Sequence, residues 1–233
     1  MFQAELDTAL DAARLASDFL RAEYDKFQVI ADAPANITTE ADRQSQEIIL
    51  QAIQKAHPGD AFCAEEATAS LPGGSQTGPR LWIIDPIDGT RGFARKNGEF
   101  SVMIAFAAEN DVVVGVVAQP ATRRLTYAMK GHGCWRRDGD ETTPTRCQVT
   151  AVADARQCTL TQSHSRDPNK RSRWVDAIEP ARVVESYSAG IKLALVARGE
   201  ADVYLNTYEA FRDYDIAADR KSTRLNSSHE WIS

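Results

Sequence analysis

Histidine and cysteine are scarce in this 233-residue chain, four of each, and neither set is clustered. His57, His132, His164 and His229 share no metal-ligand spacing and no paired nucleophile, so they read as structural or surface groups, with only His164 placed to meet a substrate. Cys63, Cys134, Cys147 and Cys158 contain no CxxC pair. That argues against a zinc cluster and against a disulfide framework, and favours a reducing, cytoplasmic setting. No apolar run approaches the ~20 residues of a membrane span. Positive charge is in deficit, 27 basic against 33 acidic residues for a net −6. Such a balance excludes a nucleic-acid-coating surface but not a local anion site. The N-terminus lacks the basic-then-apolar layout of a signal peptide.

What is there instead is an ordinary globular composition with readable elements. "MFQAELDTALDAARLASDFLRAEY" spaces Phe2, Leu6, Leu10, Phe19 and Leu20 as one face of an amphipathic helix. In "ANITTEADRQSQEIILQAIQKAHPGD", Thr38 or Thr39 caps a second helix that turns Ile48, Ile49 and Ile53 inward and places Asp42 in its first turn. "AFCAEEA" reads as a short strand ending in two acids, and the stretch that opens "LWIIDPID" as the next strand, buried. The stretch from Phe100 to Trp135 is strand-rich, broken at Glu109–Asp111 and Pro120–Thr122, and reads as an antiparallel meander. From about Thr150 the pattern changes to a strand at "CTLTQ", a helix ending at Ile178, a strand at Arg182–Val184, and "SAGIKLALVARGEADVYLN", a helix stopped at Gly199 and followed by a strand. Two halves are expected, 1–149 and 150–218, with a tail 219–233 ("RKSTRLNSSHEWIS" after Asp219) that carries no apolar period. The tail reads as non-native sequence that stands in for the protein's own C-terminal elements.

The informative stretch is "LWIIDPIDGTRGF". Two carboxylates, Asp85 and Asp88, stand at the end of a buried strand, where charge is costly unless neutralised. Oxygen ligands without a histidine or cysteine cluster favour magnesium or manganese. A bend at Pro86-Ile87 can aim both acids at one ion and free the Ile87 carbonyl. Gly89-Thr90 then offers backbone N–H groups to a phosphate. Glu65, Glu66 and, far downstream, Asp213 and Asp215 are further acids at element ends.

The combination "WIIDPIDGTRGF", with "AEE" upstream and "YDIAA" downstream, resembles the inositol monophosphatase superfamily of magnesium-dependent, lithium-sensitive phosphomonoesterases. The resemblance runs from Phe2 to Ala218. It implies an α+β fold, a layered αβαβα sandwich. It also implies one metal held by Glu65, Asp85 and the Ile87 carbonyl, a second held by Asp85, Asp88 and Asp215, and a weaker third leaning on Glu65. Asp42 and Thr90 match the family's pair that orients and deprotonates the attacking water. Glu66 reads as a neighbour of the ligand set.

The family's inositol phosphatases usually read D-G-T-x-N-F, whereas this chain has "DGTRGF". Together with "TQSHSRDPNK" and the helix beginning at Ser188, this resembles more the 3′(2′),5′-bisphosphate nucleotidases. Histidinol phosphate and inositol phosphate remain as alternatives, and so does a non-catalytic or inactive truncated member of the fold. On the nucleotidase reading Gly89, Thr90, Ser188, Gly190 and Lys192 contact substrate, with the Lys192 ammonium facing the cleft. Tyr187 stands where the family usually has Gly, and Tyr214 where it has Trp. Expected partners are a small phosphorylated metabolite and a second copy of the chain, with neither nucleic acid polymer nor membrane. Asp88→Asn is expected to lower turnover by orders of magnitude while the metal-free fold survives, stabilised by relief of carboxylate repulsion.

Overall fold

The computed structural model describes residues 1–164 and 172–205. Helix α1 (Gln3–Lys26) turns Leu6 and Leu20 inward with a run of small alanines between them. The alanines let α1 lie close on its neighbours, while Phe2, Leu10 and Phe19 flank the core partly buried. Helix α2 (Glu40–Ala56) is capped by Thr39, whose backbone N–H donates at 2.8 Å to the Asp42 carboxylate one turn in, a reciprocal cap. Ile49, Leu50 and Ile53 are buried, but Ile48 is only half-buried. At 100° per residue the buried stripe centres near Ile49 and Ile53 and leaves Ile48 beyond one edge.

Strands β1 (Ala61–Ala64), β2 (Arg80–Asp88), β3 (Ser101–Ala108), β4 (Asp111–Gln119), β5 (Arg124–Met129), β6 (Gly133–Asp138) and β7 (Thr145–Arg146) form a sheet in sequence order. The β1–β2 pair is parallel and the rest antiparallel. The meander is as the sequence pattern indicates, except that the short β7 has no clear signal. Trp82, Ile84, Ile104 and Phe106 face α1 and α2, whereas Leu81, Ile83, Met103 and Ala105 make a separate cluster on the opposite face. Burial on both faces explains why "LWII" is a continuous apolar run rather than an alternating one.

A second sheet has β8 (Thr159–Gln162) between β9 (Arg182–Glu185) and β10 (Val203–Tyr204), all parallel. Parallel neighbours need crossovers. Helices α4 (Arg173–Ile178) and α5 (Ala189–Ala197) lie in those connections. Helix α5 touches β3 and β4 of the first sheet and β10 of the second, so it forms the layer between the sheets. Its C-terminal end is pinned by Arg198, whose side chain is fully buried and binds the Asp138 carboxylate, Glu200 at 2.9 Å and Thr126 at 3.3 Å. The result is an α+β stack of α1 and α2, the large sheet, α5, and the small sheet. Among the described residues no helix is long and apolar enough to cross a membrane. Asp213, Tyr214, Asp215 and the tail 219–233 lie outside the described residues.

Candidate active site

Residues three apart on a regular strand point to opposite faces, so Asp85 and Asp88 should diverge. They do not, because β2 carries an extra residue between them. Asp85 pairs with Met103 and Asp88 with Ser101, three steps on β2 against two on β3. This bulge puts both carboxylates on the α5 side of the sheet. The bend read from Pro86-Ile87 is thus a bulge inside the strand, which runs on to Asp88. Ser45 of α2 donates to the Pro86 carbonyl at 3.2 Å and ties the bulge to the helical layer.

Immediately after the strand, Gly89 adopts φ 88° and starts the five-residue helix α3 (Thr90–Ala94). A Cβ at Gly89 would lie 2.6 Å from the Glu99 carbonyl, so only glycine serves here. This turn swings Thr90 back over β2. Its hydroxyl lies 2.9 Å from Asp42 Oδ1 and 3.0 Å from the Ile87 carbonyl. The other Asp42 oxygen accepts from the Thr39 hydroxyl at 2.6 Å as well as its N–H. Burial raises the Asp42 pKa, and the hydrogen bonds from Thr39 and Thr90 oppose that only in part. Asp42, 48 positions upstream, is therefore joined to Thr90 and the Ile87 carbonyl in one connected group.

Glu65 and Glu66 form the bend after β1, both half-buried. Gln46 of α2 clasps the Glu66 backbone, donating to its carbonyl at 2.6 Å and accepting its N–H at 2.8 Å. The Glu66 carboxyl pKa is raised, first by burial and then by the nearby Asp42 charge. Gln46 and Ser45 carry no motif signal. Their place on the α2 face beside Asp42 is the only hint of their roles.

Asp88 is held by the second half of the chain. Its Oδ1 accepts from Ala189 N at 3.0 Å, and its Oδ2 from Gly190 N at 2.7 Å, Ser101 Oγ at 3.0 Å and Ser188 Oγ. An anion at the start of a nine-residue helix satisfies orphan N–H groups and the helix dipole together. Here the sequence reading needs correction. Ser188 and Gly190 do not face the cleft as substrate contacts: Ser188 is fully buried against Asp88, and Gly190 is small because a Cβ would come within 2.5 Å of Ser101 Oγ. Nor does Lys192 offer its ammonium to a ligand. It is 1% exposed and donates to Ser163 Oγ at 2.8 Å and the Ser186 carbonyl at 2.9 Å, joining the ends of β8 and β9. Burial pushes its pKa down to about 8 against the pull of Asp88 and Glu99.

The rim beside Asp88 contains groups that the sequence pattern undervalues. Tyr187 precedes Ser188 and lies under two guanidiniums, Arg91 at 5.2 Å and Arg95 at 5.7 Å from its ring centre, with Arg95 also donating to its hydroxyl at 2.8 Å. Glu99 accepts the Tyr187 N–H at 3.0 Å and bonds His164 Nε2 at 2.7 Å. The His164 ring packs against Tyr187 at a tilt of 40°, and Glu185 lies 3.4 Å from its Nδ1. Gly92 also has a packing reason, since a side chain there would collide with the Glu99 carbonyl.

The donor set suits a hard cation in its chemistry, being all oxygen. Asp42, Asp85 and Asp88 are buried, and Asp42 and Glu66 have raised pKa values. Among the described residues no three acidic, histidine or cysteine side chains are grouped to hold an ion. The expected ligand Asp215 lies outside the described residues.

Residues 3–219 match the family profile of the inositol monophosphatase family. The chain belongs to that family. Over 209 residues it is 31% identical to the histidinol-phosphatase of Mycobacterium tuberculosis, covering 87% of this chain and 78% of that one. It is 32% identical to the inositol-1-monophosphatase of Mesorhizobium japonicum (91% and 78% covered), and 29% identical to the 3′(2′),5′-bisphosphate nucleotidase CysQ of Salmonella typhimurium (85% and 79% covered). The solved structure of the Thermotoga maritima inositol monophosphatase superposes with a TM-score of 0.75 at 28% identity, covering 91% and 79%. This inositol monophosphatase family member is accordingly a phosphatase, a hydrolase of phosphate monoesters. Its relatives act on three different esters by name, so family membership leaves the substrate open.

Proposed function

We propose that this phosphatase removes the 3′(2′)-phosphate of adenosine 3′(2′),5′-bisphosphate with two or three magnesium ions, manganese being able to substitute. The observation that carries the reaction type is the Asp42–Thr90–Ile87 group, built at the end of the strand that carries Asp85 and Asp88. Thr90 holds its single proton between Asp42 and the Ile87 carbonyl, so its oxygen is fixed in direction and can accept from an attacking water. Asp42, with a raised pKa, is suited to take the proton that water gives up. Glu65, Asp85, the Ile87 carbonyl and Asp88, joined by Asp215, are the residues that would hold the metal. A divalent ion there would acidify the water and neutralise phosphate charge. Asp88 is oriented for this by Ser101, Ser188 and the start of α5.

The substrate class is supported by the Tyr187 rim. Two arginines, Arg91 and Arg95, gathered at Tyr187 one residue before the Ser188 that holds Asp88, suit a ligand with a second phosphate. A second reading, histidinol phosphate, is favoured by Glu99 and Glu185, two carboxylates beside the rim that suit a cationic leaving group. A phosphate-release panel on adenosine 3′,5′-bisphosphate, histidinol phosphate and inositol 1-phosphate tests both. The proposal expects the highest kcat/KM on the bisphosphate, loss with chelator, and inhibition by lithium. Preference for either other ester overturns the substrate, and full activity after exhaustive chelation overturns the metal mechanism.

A further inference from the structure

Away from these acids, a cavity of about 350 Å³ lies between the middle of α1 and the end of the meander, and shares no residue with the site above. Its lining is strongly basic for a chain of net charge −6. Arg14, Arg21, Arg123, Arg124 and Arg137 face it, with two aspartates among them. Both aspartates are engaged: Asp18 accepts from Arg21 at 2.6 Å and Arg14 at 3.5 Å, and Asp140 from Arg123 at 3.2 Å. Arg124 is bound to Asp138 and Glu200, whereas Arg137 is exposed. Positive charge therefore remains in excess.

Two directional donors are buried in the same wall. Ser17 Oγ and Gln119 Nε2 have no hydrogen-bond partner among the described residues, although the residues are only 8% and 4% exposed. A mid-helix serine ordinarily bonds the carbonyl one turn back, and Ser17 does not. Gln119 has its amide oxygen committed to Thr122 at 3.3 Å, which leaves its NH₂ directed elsewhere. A buried donor left unpaired is costly, so two on one arginine-lined cavity call for an acceptor that the fold does not supply.

We propose that this cavity is a second binding site, which takes a small organic phosphate of about one ring in size. Ser17 and Gln119 donate to the ligand and the arginines carry its charge. Among the described residues Arg137 alone of the five arginines has no acidic partner, and it favours an anionic ligand. Phosphate fits the planar guanidinium fork with two parallel hydrogen bonds and has further oxygens for Ser17 and Gln119, and the volume sits near the lower end of small-molecule pockets, about 300–1,000 Å³. The site is independent of the substrate assigned above.

The test is a titration of the full chain, with chelator present so that no ester is hydrolysed, using inorganic phosphate and ribose 5-phosphate as probes. The Gln119 side-chain amide signals in ¹H–¹⁵N spectra are the readout. They are expected to shift and saturate, with ribose 5-phosphate the tighter of the two. The pair Arg14→Gln and Arg137→Gln, both at exposed positions, is expected to weaken binding by about tenfold or more. Ser17→Ala is expected to weaken binding while leaving the free protein as stable or more so, because it removes an unpaired buried hydroxyl. Equal affinity for the two probes overturns the organic ligand in favour of free phosphate. Gln119 signals unmoved up to about 10 mM of either probe, or unchanged affinity in the arginine pair, overturn the site altogether.

Discussion

Replacing Asp88 with asparagine separates two physical pictures of the site. If crowding of carboxylates dominates, Asp88→Asn stabilises the metal-free protein, as the sequence alone suggests. The structure reverses that sign. All the donors placed on Asp88 need an acceptor: Ala189 N on one oxygen, and Gly190 N, Ser101 Oγ and Ser188 Oγ on the other. An asparagine that keeps its oxygen toward Gly190 must point its NH₂ at the Ala189 N–H, donor against donor. One charge-assisted hydrogen bond is lost, about 1.5–3 kcal/mol. The interaction of the charge with the start of α5 goes too, about 0.3–2 kcal/mol depending on burial. Asp88 is 7% exposed, so solvent cannot repair either loss. The expected destabilisation is about 3 kcal/mol, or roughly 10 °C in Tm for a domain of this size. Thermal or urea unfolding of both proteins in excess chelator measures it. A variant as stable as the wild type, or more stable, would refute the view of Asp88 as the anion that organises α5.

Four further outcomes follow from particular contacts. Gly190→Ala places a Cβ 2.5 Å from Ser101 Oγ and 2.8 Å from Met103 Sδ, so it should cost about 1–3 kcal/mol by overpacking and reduce turnover; an unchanged Tm contradicts the close approach of α5 to β3. Thr90→Val should lower kcat by about 10²–10⁴ with little change in KM, and a kcat near wild type would remove Thr90 from the reaction. Lys192→Met should leave KM for adenosine 3′,5′-bisphosphate within about threefold, because its ammonium binds Ser163 and Ser186; a far larger rise would restore Lys192 as a phosphate contact. Asp60 accepts from Arg80 at 2.6 Å and Trp82 at 2.9 Å; burial alone would raise its pKa, but these bonds and the Arg80 charge hold it below the usual carboxylate value. Its stabilisation is therefore present above about pH 4 and lost as pH falls further, and Arg80→Gln should flatten that acid limb in pH-dependent unfolding; an unaltered limb would exclude the pair.

The chain determined by itself those features whose cause is local or periodic. The 3.6-residue stripe of α1, the Thr39 cap of α2, the breaks at Glu109–Asp111 and Pro120–Thr122, and the stop at Gly199 are each dictated by neighbouring residues. The run D-P-I-D-G-T, with its crowded acids and obligatory Gly89, likewise announced chemistry before any fold was known. Tertiary structure decided whatever depends on which side of an element a partner lies. Lys192 looks like a helix charge open to ligand, yet α5 is sandwiched between two sheets and its ammonium is consumed by β8 and β9. Ser188 and Gly190 look like cleft residues, yet a carboxylate 100 positions earlier requires their hydroxyl and N–H groups. That Asp85 and Asp88 share a face follows from one extra residue in the β2–β3 register, and Gln46, Ser101 and Glu99 gain their roles only from strands and turns far away in sequence. Such pairings carry no periodicity along the chain, because the energy that selects them is hydrogen bonding between buried groups that meet only after the layers have packed.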